Sequence, residues 1–353
     1  MRDEKGLLSE SIERILSWYR ANRRSMPWRD DPSPYHVWLS EIMLQQTRIE
    51  AATPFYLRFL EELPTVEALA ACDDEKLMKL WQGLGYYSRA RNLKKAAVLM
   101  TEKYGGTLPG EAAELRKLPG VGAYTAGAVA SIAFGRPEPA VDGNVMRVLA
   151  RLFASEEDVL SPRVRKDAEE LLRASYPAGE DAADLTQGLM ELGEVVCIPN
   201  GAPLCEKCPL GILCEAAKRG IQEELPKRMP KKERRIEEKT VLILTDGTRF
   251  ALGKREKKGL LAGLWELPSL PGKLSAGETG RILTEKGIRW EKILPAGDAV
   301  HLFSHVEWRM TGYRVLLSDL PPDYAFPDRE ELFRDYAVPS AFRRYLDLIR
   351  KER

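Results

Sequence analysis

Residues 118–128, LPGVGAYTAGA, sit between two stretches of helical patterning, and the reading of this segment decides the fold. Pro119 and Gly120 interrupt the first stretch, and Gly120 with Gly122 permits a tight turn into the second. The first backbone N–H groups of a helix have no partner inside it, so at this turn they point outward. That makes a phosphate site that needs no side-chain charge. A helix hairpin of this kind grips a DNA backbone without reading its sequence. The alternative is an ordinary glycine-rich connection between helices.

The surroundings are helical in both directions. Apolar residues recur at i, i+3 and i+4 in residues 12–19, 66–81, 96–104, 123–134 and 145–153. Ser33 followed by Pro34 reads as an N-cap with proline at the first helical position, starting the helix that carries HVWLSEIMLQQ. Near residue 240 the texture changes. VLILT, then Asp246-Gly247, then TRFALGKR predicts a two-residue hairpin between strands. Strand-like runs follow at 306–310 and 313–317, and a helix is expected over 339–351. The chain therefore reads as multidomain: an all-α domain over 1–222, a basic linker over 223–238 and a smaller α+β domain over 239–353.

The 353 residues are 44% hydrophobic and 30% charged, a length that suits about two domains with their own cores. With 27 Gly and 23 Pro the chain is neither low-complexity nor collagen-like. No apolar run approaches the roughly 18–20 residues that span a bilayer. The opening MRDEKGLLSESIERIL carries acids and no signal-peptide core, so a cytoplasmic protein away from membranes is expected. The net charge of +1 averages over basic runs. Arg20, Arg23, Arg24 and Arg29 fall in one acid-free stretch, and Arg89, Arg91, Lys94 and Lys95 in another. A third run holds Lys227, Arg228, Lys231, Lys232, Arg234 and Arg235 against the single acid Glu233. Such runs beside Trp18, Tyr19, Trp28, Tyr86 and Tyr87 suit a phosphate backbone; solvated helix faces are the other reading.

Four of the five cysteines, Cys197, Cys205, Cys208 and Cys214, are spaced C-x7-C-x2-C-x5-C. In a reducing compartment clustered thiols read as metal ligands. Their confinement to one compact loop favours an iron–sulfur cluster over zinc, whose ribbons separate two close pairs. Cys72 stands apart and reads as a small buried residue. Two carboxyls stand out as well. Glu41 shares a helix face with Val37, Trp38, Leu44 and Gln45, where desolvation raises a carboxyl pKa and suits it to general-acid work. A structural pair with Arg24 or Arg29 is the competing reading. Asp142 opens a helix in AVDGNVMRV, either as a plain N-cap or as an ionised carboxylate near positive charge. An acid and a stabilising carboxylate are what cleavage of a glycosidic bond through a sugar cation needs.

SEIMLQQT, WQGLGYYSRARNL, LPGVGAYTAGA, VDGNVMRV and the four-cysteine loop, in that order, resemble the helix-hairpin-helix DNA glycosylase superfamily. Within it the chain is most similar to the MutY-type adenine DNA glycosylases, from about residue 12 to 216. GLLAGLWELP (259–268) and HLFSHVEW (301–308) resemble that family's Nudix-like lesion-recognition domain. The resemblance implies a monofunctional glycosylase acting on duplex DNA with A:8-oxoguanine or A:G mispairs and holding a 4Fe–4S cluster on the four cysteines; a monomer is expected. It implies Glu41 as the acid and Asp142 as the cation stabiliser, with Tyr124 and Asn144 beside them. Arg24, Trp28, Arg29 and Gln187 would line the base pocket. Gln46, Thr47 and Tyr86 would lie where the duplex is opened, Gly120 and Gly122 at the backbone, and Phe303, Ser304 and His305 at the lesion. The first cysteine gap has seven residues where the family usually has six, and IPNGAPL carries no basic residue. The last domain lacks the REXXEE run of Nudix hydrolases, which speaks against nucleotide hydrolysis. A bifunctional lyase resembling endonuclease III would place a lysine where this chain has Tyr124, and a non-catalytic DNA-binding iron–sulfur protein would not need Glu41 and Asp142 together.

Overall fold

The computed structural model describes residues 4–229, 233–256 and 258–351; Lys231 and Lys232 of the basic linker lie outside them. The chain divides into two compact units, Met1–Ala71 with Arg91–Pro230, and Cys72–Ala90 with Lys231–Arg353. The expected all-α domain over 1–222 thus yields an internal segment to the second unit. Within that unit, Lys79 Nζ donates to the carbonyls of Phe333 and Tyr336, at 2.7 and 3.3 Å, and Gln82 Nε2 donates to that of Val338 at 2.9 Å. Sequence periodicity carries no signal for such side-chain ties to a distant backbone.

The first unit is built around the helix Ala123–Phe134, whose small residues Ala126, Gly127, Ala128 and Ala130 are buried. Small side chains let neighbours approach closely, and the helices Pro34–Leu44 and Glu180–Val195 both pack on it. Glu180–Val195 also meets Glu4–Asn22 and Gly143–Leu152. Ser33 caps Pro34–Leu44 by accepting from the His36 N–H, with Pro34 at the first position as expected. The apolar stretch at 66–81 is two helices, Val66–Ala71 and Asp74–Leu80, because the Asp73 carboxylate accepts from the N–H groups of Glu75 and Lys76 and starts a new helix. In the glycine-rich segment, Gly120 has φ +79° and a Cβ there would lie 2.7 Å from that of Asn92, so only glycine fits the turn. Gly122 is the N-cap of Ala123–Phe134 with no side chain capping it.

The second unit holds a sheet of four strands in the order β4-β1-β6-β5, with β1 Arg235–Thr245, β4 Ser269–Pro271, β5 Trp290–Leu302 and β6 Val306–Leu317. A separate pair joins β2 Gly253–Lys254 to β3 Trp265–Glu266. β1 and β6 are parallel; β4 and β5 run antiparallel to their neighbours. Alternation along β1 sends Val241 and Ile243 to a core with Trp308, Phe342, Tyr345 and Ile349, and Leu242 and Leu244 to one with Leu283, Ile288 and Val315. Each such side chain contributes about 1.5–3 kcal/mol of burial. The runs at 306–310 and 313–317 are one strand. It passes through Gly312, where a Cβ would overlap the Tyr345 ring. The expected two-residue hairpin at Asp246-Gly247 is instead a four-residue loop closed by a Thr245–Phe250 bridge. The Asp246 carboxylate accepts from the N–H groups of Thr248 and Arg249, which fixes the wider turn. The helix expected over 339–351 is present as a short 3₁₀ turn followed by Arg343–Lys351.

Candidate active site

Packing of Pro34–Leu44 against Ala123–Phe134 sets Glu41 beside Tyr124, whose hydroxyl donates to Glu41 Oε2 at 2.7 Å. Glu41 is buried, with Val37 and Trp38 a turn away and equally enclosed. Burial pushes its carboxyl from the ordinary 4.5 to about 7; the Tyr124 bond pulls down, the Asp142 charge pushes up and Arg29 pulls down. Near neutral pH the group therefore holds its proton about half the time. Tyr124 itself is driven well above the ordinary phenol value by burial and by the two carboxylates.

Asp142 is the N-cap of Gly143–Leu152. Its Oδ1 accepts from the Val145 N–H at 2.8 Å and its Oδ2 from Asn144 Nδ2 at 2.9 Å. Burial raises its pKa; those donors and the Arg147 charge oppose the rise. Of the two sequence readings of Asp142, the helix cap is present; the carboxylate also stands in the electrostatic field of Glu41 and Tyr124. Asn144 Oδ1 accepts in turn from Arg147, which also donates to the carbonyls of Gly193 and Cys197. A Cβ at Gly193 would come within 2.6 Å of that of Asn144, so the close approach of the two helices requires glycine.

The structural pair of Glu41 with Arg24 or Arg29 is not found. Both arginines bind Glu191, Arg24 at 2.5 Å and Arg29 at 2.8 Å, and Arg24 reaches Glu194 at 2.8 Å. Arg20 pairs with Asp181 and Asp184. Three arginines of the acid-free basic stretch, Arg20, Arg24 and Arg29, are thus paired with acids of one helix, Glu180–Val195. Arg89, from the second basic stretch, is buried and donates to the carbonyls of Leu84 and Gly85. Trp28 is buried edge-on to Tyr56, 5.3 Å between centroids. Gln187 is half-buried and donates to Ala183 O of its own helix. Gln46 and Tyr86 are non-glycine residues at positive φ, +57° and +47°, a strained setting that often marks function. Gln46 lies exposed just beyond Pro34–Leu44, and Thr47 beside it bonds back to Leu44 and Gln45. Sequence reasoning missed Glu191 and Met190 (Sδ 3.8 Å from the Tyr124 hydroxyl), and placed Gln45 beside Glu41 without its bond to Thr125. The i, i+4 spacing of Gln187 and Glu191 was the available signal for the first.

Cys197, Cys205, Cys208 and Cys214 line one small cavity of ≈ 30 Å³, together with Val148, Arg151 and Leu192. Arg151 Nη1 donates to Cys197 Sγ, and Cys214 Sγ to the Arg151 carbonyl, both at 3.2 Å. Burial raises the Cys205 and Cys214 thiols and takes Cys208 to about 12. Among the described residues no three His, Cys, Asp or Glu side chains are close enough to hold one ion. Cys72 is buried apart from this group.

In the second unit, Phe303, Ser304 and His305 form the tip between β5 and β6, closed by the Phe303 N–H on Val306 O at 2.8 Å. Phe303 is anchored edge-on to His301 and Trp308, leaving Ser304 and His305 exposed. The Ser304 and Tyr86 hydroxyls share a hydrogen bond of 3.0 Å, and Tyr86 is 45% exposed.

Comparison with known proteins gives this arrangement its class. Residues 39–174 match the HhH-GPD superfamily of base excision DNA repair proteins, and residues 240–348 match the NUDIX domain. A thermostable thymine-DNA glycosylase superposes on 61% of this chain and 98% of its own, with TM-score 0.55 and 29% identity. Endonuclease III, from a trapped covalent complex with DNA, covers 62% of this chain and all of its own, with TM-score 0.52 and 27% identity. The fold is that of a base-excision DNA glycosylase carrying a Nudix-like domain. More particularly, the chain belongs to the adenine DNA glycosylase family. It is 34% identical to the Homo sapiens adenine DNA glycosylase, across 94% of this chain and 72% of that protein. It is 35% identical to the Mus musculus protein, across 94% and 77%.

Proposed function

We propose that this chain hydrolyses the N-glycosidic bond of adenine paired with 8-oxoguanine or guanine in duplex DNA. The buried Glu41 bonded to Tyr124, within the field of Asp142, carries the reading. A base inside a duplex is out of reach, so it must first leave the stack at a cost of a few kcal/mol. Glu41 then donates its proton to the purine ring at N7, the C1′–N9 bond breaks with both electrons leaving on adenine, and the sugar carries positive charge. The Asp142 carboxylate, held by the Val145 and Asn144 donors, stabilises that charge until water adds at C1′ and gives its proton to the Glu41 carboxylate, which restores the acid. Position 124 offers a phenol rather than an amine, so no imine forms with the sugar and the strand stays intact.

Around this centre we assign Arg24, Trp28, Arg29 and Gln187 to the base pocket and Gln46, Thr47 and Tyr86 to the opened duplex. Gly120 and Gly122 are assigned to a phosphate, the uncapped first turn of Ala123–Phe134 being suited to one. Phe303, Ser304 and His305 are assigned to the lesion opposite adenine. The four cysteines are assigned to a 4Fe–4S cluster: four thiols, the usual ligand set of such a cluster, line one cavity. Bound there, the cluster would serve as a brace for its loop. The protein is assigned as a monomer.

Single-turnover excision from A:8-oxoguanine, A:G and A:C duplexes, with and without alkali, tests the reading. Adenine release from the first two, with strand breaks only after alkali, is expected. Excision of a pyrimidine instead, or nicking without alkali trapped by borohydride, would overturn it.

A further inference from the structure

Glu191 is 1% exposed, and nothing in the reaction above uses it. It sits on Glu180–Val195 and takes two guanidinium groups at once, Arg24 through Oε1 and Arg29 through Oε2. Arg29 is further fixed by its bond to the Arg24 carbonyl at 3.1 Å and by the Tyr19 ring, 5.6 Å away. Met190, next to Glu191, touches the Tyr124 hydroxyl that binds Glu41. Arg29 is therefore a cation held close enough to act on Glu41 but bonded to another carboxylate.

We propose that Glu191 is a positioning residue that ties Arg29 down and so keeps Glu41 free of a guanidinium partner. The inference rests on Glu41 being the acid of the reaction. The groups facing Glu41 are Tyr124 from Ala123–Phe134, Arg29 from Pro27–Asp30 and Asp142 from the head of Gly143–Leu152; Ile49–Glu62, also packed on its helix, adds no charge acting on it. Were Arg29 to bind Glu41, the carboxyl would lose its proton at a lower pH, because an opposite charge at contact distance lowers a carboxyl pKa by about 1–3. An acid catalyst so paired has no proton to give at neutral pH. Glu191 itself stays ionised: burial raises its pKa, but the bonds from Arg24 and Arg29 outweigh that and hold it below the ordinary value.

The test is the pH dependence of single-turnover adenine release from an A:8-oxoguanine duplex, using the full chain and Glu191→Gln, Glu191→Asp and Arg29→Gln variants. With Glu191→Gln the alkaline limb is expected to move down by about one pH unit, so that the loss of rate grows with pH and gains a further factor of roughly ten above the midpoint. Glu191→Asp keeps the charge and should keep the midpoint. Arg29→Gln removes the cation and should move the limb the opposite way. If Glu191→Gln does not fold, those last two variants carry the test by their contrast. A wild-type limb that none of the variants moves, with rates reduced evenly at every pH, overturns the inference alone. A wild-type profile without an alkaline limb overturns the reading of Glu41 and this inference with it.

Discussion

The two units handle polar groups in opposite ways. The helical unit encloses its carboxyls: Glu41, Asp142 and Glu191 each lie largely out of water, and burial raises the first two above their ordinary values. The α+β unit half-buries an apolar anchor, Phe303, and leaves Ser304 and His305 exposed at a hairpin tip. Proton donation at neutral pH needs a desolvated acid; reading a surface needs donors and acceptors that reach out of the fold. The contrast separates a unit suited to chemistry from one suited to recognition, and it sets the scale of what each residue's loss should do.

The largest effect belongs to the enclosed acid. Glu41→Gln should still bind a mispaired duplex yet lose roughly 10²–10⁴-fold in excision, the range for positioned proton transfer. Parallel binding and single-turnover measurements check this. The same variant should be the more stable protein in alkali. The folded-state pKa of Glu41 is raised, so below about pH 4.5 the carboxyl is neutral in both folded and unfolded chains and has no effect. Between about pH 4.5 and about 7 the unfolded chain ionises this carboxyl while the folded chain keeps it neutral, so stability is lost over that span and the loss is complete above about 7. Gln removes that loss, up to about 3 kcal/mol at pH 8 and nothing at pH 4, readable from urea unfolding at the two pH values.

At the exposed tip the effect should be smaller. Ser304→Ala is expected to cost about 1–3 kcal/mol of preference for A:8-oxoguanine over A:G, because the hydroxyl can accept from the lesion N7–H but can also rotate and donate to guanine N7. The ratio of single-turnover rates on the two duplexes reports it, and a loss on both equally would remove Ser304 from lesion reading. The smallest effect is at Cys72. About four irons per chain are expected, and Cys72→Ser should leave that count unchanged while Cys208→Ala lowers it; one zinc per chain would contradict the cluster.

The helical class, the cap at Ser33 and the change of texture near 240 were legible because they depend on local periodicity and local donors. Glu41 was legible for the same reason, its apolar neighbours lying within one turn. What was not legible came from elsewhere in the chain. Arg20, Arg24 and Arg29 read as a basic surface because their acids sit some 160 residues away on Glu180–Val195. The reassignment of Cys72–Ala90 rests on long side chains reaching distant carbonyls. β5 went unread because its bulges, around Trp290 and Pro295, break the alternation by which strands are recognised.

The central claim is that a buried, protonated Glu41 opposite an ionised Asp142 drives adenine release. Its most direct test is the wild-type single-turnover rate on an A:8-oxoguanine duplex from about pH 5 to about pH 9. The account predicts an alkaline limb through about pH 7 as Glu41 gives up its proton, and a fall in acid only where Asp142, raised above its ordinary 3.8, protonates. A rate that stays level from about pH 6 to about pH 9 would contradict it.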